Sequence, residues 1–250
     1  MKKIIILAAH GLKQINIDDI YAKIVKAVEL NFSKNETVLG FTSKTVITFL
    51  KEIFPKQEYC VEKLIVKYLT LNYDEIFIQP LFINSGIEYK KIVLLKEKYH
   101  EIKLGKPLIN DAIDFYQILK LSECKIENSL STPILFVIHG NNYDDEFLLM
   151  IQNLSKQNSY KFLICALENN SSIVKVIEYC KDRNIIELFL FPLFVAPGGH
   201  VLNDLLCQKS TSLVSKLDNN GIKIKKVFKT LSENDVLIDI LLDKMNSLTL

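Results

Sequence analysis

The motifs that nucleotide and acyl-transfer chemistry require are missing from this chain. It has no Gly-x4-Gly-Lys-Ser/Thr loop to cradle phosphates and no Gly-x-Gly-x-x-Gly turn opening a helix, which argues against ATP and dinucleotide chemistry. It also lacks the Gly-x-Ser-x-Gly elbow on which an α/β-hydrolase places its nucleophile. We therefore expect the chemistry to rest on other residues.

The sequence also lacks the patterns expected of a disulfide framework, a membrane span or a secretion signal. The five cysteines are odd in number and never stand at Cys-x-x-Cys spacing, which favours a reducing compartment. No apolar run approaches the ~20 residues of a membrane span. The short apolar run after Met1-Lys2-Lys3 breaks at His10-Gly11 without a cleavage-site pattern, so we expect a cytoplasmic, unprocessed protein with no membrane partner.

The charge balance argues against nucleic acid as a partner. Lys and Arg number 31 and Asp and Glu 29, for a net charge of +2, while 49% of the 250 residues are hydrophobic. The lysine-rich stretch 222–229 alternates lysine with isoleucine and valine, as on the solvated face of a strand. The composition is that of a globular protein able to bury a core.

Short β-branched runs alternate with longer segments of helical period, an order typical of parallel sheets with crossover helices. Strands are predicted near residues 3–9, 37–41, 75–81, 101–104, 133–138, 161–166, 186–194 and 222–228. Helices are predicted near 17–31, 43–53, 59–72, 87–99, 109–121, 144–157, 171–183, 201–218 and 234–247. The polar segment 122–132 is predicted to link an N-terminal α/β half, 1–121, to a C-terminal α/β half, 133–250.

The two predicted halves repeat one pattern. In each, an apolar strand runs into a His-Gly pair, and a later apolar strand ends in a turn followed by a residue that can bind metal. The pairs are His10-Gly11 and His139-Gly140, and the residues after the turns are Glu88 and His200. Ligands of open α/β folds bind at the carboxyl ends of strands. We therefore predict two similar parallel sheets facing each other across a cleft, with both histidine ligands in the second half.

Glu88, His139 and His200 are the predicted metal ligands. Two imidazoles and a carboxylate with open coordination positions suit a transition metal such as Co, Ni, Fe or Zn that must also meet a second ligand. Taken singly, a histidine after a strand is more often a turn or capping residue, and a glutamate at a helix start complements the helix dipole. The place of both histidines at corresponding strand ends of a repeat brings the metal site level with these simpler interpretations.

Several segments spread over nearly the whole chain recur, in this order, in a known family. They are Gly40-Phe-Thr-Ser43, residues 78–92, Leu104-Gly-Lys-Pro-Leu108, His139-Gly140, Ala166-Leu-Glu168, Pro192-Leu-Phe-Val-Ala196 and His200-Val-Leu-Asn-Asp204. Their order and spacing resemble the class II chelatases, specifically the anaerobic-type sirohydrochlorin cobaltochelatases of cobalamin biosynthesis.

The resemblance implies a fold, a reaction and a site. It implies two α/β halves with a tetrapyrrole in the cleft between them, and a lyase that inserts Co²⁺ into sirohydrochlorin without ATP or an organic cofactor. The family's metal ligands correspond here to Glu88, His139 and His200. Of these, His139 and Glu88 are the predicted catalytic residues, with His139 accepting a pyrrole proton. His10 and Glu168 are weaker candidates for substrate binding.

The metal and the kind of activity stay open at this point. Imidazole and carboxylate bind several divalent ions, so Fe²⁺, Ni²⁺ or Zn²⁺ with sirohydrochlorin or a related tetrapyrrole are alternatives. A tetrapyrrole or metal carrier without turnover is another, and a periplasmic-type binding protein, which would need an export signal, is a third. Exposed apolar helix faces could support a homo-oligomer.

His10 departs from the family pattern. The anaerobic branch often carries a Gly-Thr-Ser-like turn after the first strand, whereas this chain has His10-Gly11-Leu12. One interpretation is a turn residue packed near Gly11. The other is an auxiliary contact to metal or substrate, because the shorter chelatases of the wider family use a histidine at the matching strand end.

Overall fold

The structure is a computed structural model that describes residues 2–124, 132–139, 147, 150–151, 153–154, 162–198, 204–206, 211–233 and 235–247. The predicted ligand His200 lies outside these residues. So do most of the predicted linker 122–132 and most of the predicted helix 144–157.

Two four-stranded parallel sheets carry the fold, and the prediction of two parallel sheets with crossover helices is confirmed. The first has the order β2-β1-β3-β4 and consists of β1 (Lys3–Ala9), β2 (Glu36–Phe41), β3 (Glu75–Pro80) and β4 (Ile102–Leu104). The second has the order β6-β5-β7-β8 and consists of β5 (Ile134–Ile138), β6 (Phe162–Ala166), β7 (Glu187–Pro192) and β8 (Lys223–Val227). Strand β1 is buried from Ile4 to Ala9, as expected of a strand covered by helices on both faces.

The described helices overlap predicted ones. They are α1 (Ile17–Asn31), α2 (Lys44–Ile53), α3 (Val61–Thr70), α4 (Ile87–Lys98), α5 (Ala112–Cys124), α6 (Asn170–Asp182), α7 (Leu213–Asp218) and α8 (Asp235–Asn246). Helix α5 runs on to Cys124, beyond its predicted end at residue 121. Of the predicted helix 201–218, the part Leu213–Asp218 is observed as α7, which the Ser212 side chain caps by accepting the Ser215 N–H. Residues 201–203 and 207–210 lie outside the described residues. None of the described helices is both long and apolar enough to span a bilayer.

The repeat seen in the sequence returns in the backbone hydrogen bonds. Leu81, just after β3, donates its N–H to Ala8 O over 2.7 Å, and Leu193, just after β7, donates to Val137 O over 2.8 Å. The strand after each of these, β4 and β8, completes its sheet in the same position. Because the two sheets share order and register, corresponding strand ends can be compared residue by residue.

Contacts divide the chain into two compact units that differ from the predicted halves 1–121 and 133–250. One unit is Met1–Asn110 with Leu237–Leu250, and the other is Asp111–Val236. Helix α5 therefore belongs to the second unit and most of α8 to the first. The reason for α5 lies in Phe115, which is fully buried with its ring centroid 5.2 Å from that of Phe136 and 5.6 Å from that of Phe162.

Phe115→Ala tests whether α5 packs on the second sheet and so belongs to the second unit. Truncating a buried phenylalanine typically costs about 3 to 5 kcal/mol, and the loss should fall on the sheet that Phe115 contacts. We expect denaturation to show this loss of stability, and hydrogen exchange to speed up in β5 and β6 more than in β1 and β2. Ile113→Ala, on the same helix at 71% exposure, is the matched control. Faster exchange centred on β1 and β2 would contradict the assignment.

Candidate functional site

The carboxyl edge of the first sheet gathers residues from three loops. Thr42, just after β2, donates its N–H to Ala9 O over 3.0 Å, which ties the end of β2 to the end of β1. His10 follows β1 directly. The chain then turns at Gly11, with φ at +92°, and a Cβ there would lie only 2.8 Å from Val46 Cγ1. Glycine is therefore required beside His10.

Glu88 is the centre of this edge. It lies in the first turn of α4, which the turn after β3 brings to the same side of the sheet. Its Oε2 accepts a hydrogen bond from Thr42 Oγ1. Its Oε1 accepts one from Lys91 Nζ at 2.6 Å and lies 3.5 Å from His10 Nδ1. The Glu88 side chain is 24% exposed and that of His10 is 59% exposed, so the cluster reaches the surface.

These contacts keep Glu88 ionised. Burial alone would raise the pKa of its carboxyl group, but the hydrogen bonds from His10, Lys91 and Thr42, with the charge of His10, outweigh burial and lower the pKa from 4.5 to about 2. A carboxylate that is already ionised can bind a cation without first losing a proton. Glu88 is thus prepared as an oxygen ligand at neutral pH.

The second sheet places His139 at the corresponding strand end, directly after β5. Its Nδ1 lies 3.5 Å from Glu168 Oε1, and Glu168 donates its N–H to His139 O over 3.2 Å. The Phe194 ring contacts the imidazole edge-on, with centroids 6.3 Å apart. A carboxylate at Nδ1 orients an imidazole and leaves Nε2 as the nitrogen for a metal or a proton.

Glu168 also borders a cavity of about 200 Å³ within the second unit. The other residues that line this cavity are Leu167, Ile173, Asp204, Thr211, Leu213 and Lys216. Its polar groups carry both signs of charge. Glu168 thus lies between the imidazole of His139 and a small pocket lined by both charged and apolar side chains.

The structure brings the predicted residues together in two pairs, His10 with Glu88 and His139 with Glu168. Glu88 follows the end of β3 at the same spacing as His200 follows the end of β7, although His200 itself is outside the described residues. Within the described part of the chain, no three or more His, Cys, Asp or Glu side chains form a group that could hold an ion. The full ligand set thus remains a prediction.

Two residues of the cluster were not predicted as site residues. Thr42 belongs to the segment Gly40-Phe-Thr-Ser43, which carried the family resemblance. Its hydroxyl contact with Glu88 depends on how far the Glu88 side chain reaches across the sheet edge. The contact of Lys91 with Glu88 could have been predicted from the sequence. Residues three apart on a helix are neighbours, and a helix was predicted over both residues.

Sequence comparison assigns a family. The model of the cobalt chelatase family, CbiK, matches residues 3–249. No curated protein sequence matches the chain.

Solved structures agree in fold. SirB from Bacillus subtilis with Fe³⁺ is 14% identical with a TM-score of 0.66, covering 99% of this chain and 96% of that one. The sirohydrochlorin chelatase SirB from Bacillus subtilis subspecies spizizenii in complex with cobalt is 13% identical with a TM-score of 0.61, covering 99% and 95%. A multi-domain protein from Deinococcus radiodurans with structural similarity to chelatases is 11% identical with a TM-score of 0.59, covering 97% and 54%. At these identities the likeness is one of fold.

Glu88→Gln tests the ionised carboxylate. Because the folded-state pKa is lowered, ionised Glu88 stabilises the metal-free protein above pH 4.5, and this stabilisation is lost as the pH falls from 4.5 towards about 2. Urea unfolding should therefore show the variant less stable than the wild type at pH 7, with the difference shrinking over that interval. Glu97→Gln, also on α4, controls for removing a carboxylate as such. A difference that is constant with pH would contradict the lowered pKa.

Proposed function

This chain belongs to the cobalt chelatase family, and we propose that it is an enzyme that inserts Co²⁺ into sirohydrochlorin, without ATP, in anaerobic cobalamin biosynthesis. The observation that carries the proposal is Glu88, an ionised carboxylate at the carboxyl edge of the first sheet, in the position where the family's pattern has a metal ligand. The metal is a substrate here, and no organic cofactor is required.

Support for the tetrapyrrole comes from the fold. Both SirB structures, one with Fe³⁺ and one with cobalt, share this chain's architecture over nearly its whole length. The family description favours cobalt. The SirB structure with Fe³⁺ favours Fe²⁺ as the second candidate metal, because a site of imidazole and carboxylate ligands accepts both ions.

The proposed chemistry is an exchange of two pyrrole N–H protons for one divalent ion. Glu88, His139 and His200 are the proposed ligands. Glu88 supplies negative charge that offsets the charge of the ion. His139 is also the proposed acceptor of one of the two protons, which its Nε2 takes as the ion leaves it for the macrocycle, and the second proton passes to solvent. The Nδ1 of His139 faces Glu168 at 3.5 Å, and a carboxylate there stabilises the imidazolium that forms. Holding ion and macrocycle face to face supplies the orientational part of the rate enhancement.

An absorbance assay with sirohydrochlorin and Co²⁺ tests the activity by comparing the wild type with His139→Ala. The His139 side chain is 42% exposed, so we expect the variant to fold and to lose metal insertion. The wild type should convert many equivalents of sirohydrochlorin per protein chain, and the same assay with Fe²⁺ ranks the two metals. Conversion limited to one equivalent would indicate a carrier, and a soluble, fully active variant would remove His139 from the mechanism.

His10→Ala tests the auxiliary role of His10. The side chain is exposed and lies 3.5 Å from Glu88, so its loss should weaken the affinity for Co²⁺ or sirohydrochlorin several-fold. Some turnover should remain, because the three proposed ligands are intact. His100→Ala is a suitable control, since His100 was not predicted to take part. Saturation curves identical to the wild type for both substrates would leave His10 without a role in binding.

A further inference from the structure

We propose that Lys91 acts as an internal competitor of the metal: its ammonium group occupies Glu88 in the empty site, and the incoming divalent ion displaces it. The inference rests on the proposed function, in which Glu88 is a metal ligand. It makes Lys91 a residue that sets metal affinity, acting through Glu88.

The two oxygens of Glu88 have different partners. Oε2 accepts from the neutral hydroxyl of Thr42, which fixes the carboxylate. Oε1 accepts from the ammonium group of Lys91 at 2.6 Å, and His10 Nδ1 is 3.5 Å from the same oxygen. The position that a cation would take at Oε1 is therefore already filled by a cation.

An ion and the ammonium group cannot both stay on Oε1 at low cost. Metal–oxygen bonds are ~2.0 to 2.2 Å long, which would leave the ion less than about 5 Å from an Nζ kept in its present place. Like charges at that distance repel, and screening by salt is weaker because Glu88 is only 24% exposed. Binding of the metal at this oxygen thus requires Lys91 to leave.

Lys91 can leave easily. Its side chain is 48% exposed, and the ammonium group stands on a flexible four-carbon stem. Ion pairs of this kind three positions apart on a helix contribute little to stability, so the competition is mild. A mild competitor suits a site that must hold an ion loosely enough to hand it to a macrocycle, and Lys91 can return to Glu88 as the ion departs.

A simpler explanation is that Lys91 is an ordinary surface ion pair that only offsets the charge of Glu88. The two explanations differ in what removal of the contact does to metal binding. A charge-offsetting role predicts the same effect from removing any nearby lysine. Competition predicts a larger effect from Lys91 than from Lys90, which is also exposed on α4 and for which the described residues show no side-chain contact with Glu88.

Titration calorimetry with CoCl₂ on the full chain decides between them, using Lys91→Met and its matched control Lys90→Met. Both variants remove one positive charge from α4, and methionine keeps the helix propensity of lysine. We expect Lys91→Met to bind Co²⁺ about two- to fivefold more tightly than Lys90→Met, the range that an exposed pair supports. Lys91→Arg should bind Co²⁺ more weakly than the wild type, because a guanidinium group can hold the Glu88 carboxylate with two hydrogen bonds.

Steady-state kinetics adds a measurement that a merely structural role would not change. Lys91→Met should lower the KM for Co²⁺ and leave the KM for sirohydrochlorin as it is in Lys90→Met. A raised KM for sirohydrochlorin with an unchanged Co²⁺ dissociation constant would identify Lys91 as a contact to a substrate carboxylate and overturn the proposal.

Glu88→Gln separates failure of this inference from failure of the proposed function. If Glu88→Gln weakens Co²⁺ binding while Lys91→Met and Lys90→Met bind equally, Glu88 stays a ligand and the competition is disproved. If Glu88→Gln binds Co²⁺ like the wild type, the ligand assignment itself is wrong, and the role of Lys91 falls with it.

Discussion

The candidate site depends on the parallel pairing of each central strand with both of its neighbours. In the first sheet, Ala9 pairs with Phe41 and Ala8 pairs with Pro80, so the loops after β1, β2 and β3 leave the sheet at one edge. A slip of one residue in β3 would exchange its two faces and carry the start of α4 away from the end of β1. Burial of β3 from Ile76 to Pro80 resists such a slip, because its apolar side chains would lose their places in the core.

Each unit pairs a histidine at a strand end with a carboxylate, and the two units surround the pair differently. A half-buried charge at a sheet edge is costly unless polar partners offset its lost hydration. In the first unit the acid is the central group, and Thr42, Lys91 and His10 surround Glu88. In the second unit the base is central, and Glu168 orients His139. Both units thus keep a histidine at the corresponding strand end, and each histidine faces a carboxylate from a different part of its unit, Glu88 on α4 or Glu168 after β6.

Much of this arrangement could be predicted from the sequence, and the limits have physical causes. The strands were readable because burial on both faces makes them continuous apolar runs, and β1 was found at its observed bounds, Lys3–Ala9. The placement of Glu88 and His139 at the sheet edges was predictable because turns and strand ends repeat, and their role as ligands stays a prediction. The contact of Thr42 with Glu88 was not, since it joins residues far apart in the chain through side-chain reach. The place of α5 in the second unit was not predicted, because the apolar face of a helix does not indicate which sheet it will cover.

The assignment of most of α8 to the first unit bears on the order in which the two units are synthesised and completed. The first unit takes residues up to Asn110 and again from Leu237 onward, which is most of α8, and these last residues follow the whole second unit in the chain. Domains usually fold one after another as the ribosome delivers them. Here the last part of the first unit is translated more than a hundred residues after Asn110, so the unit that begins first is completed last.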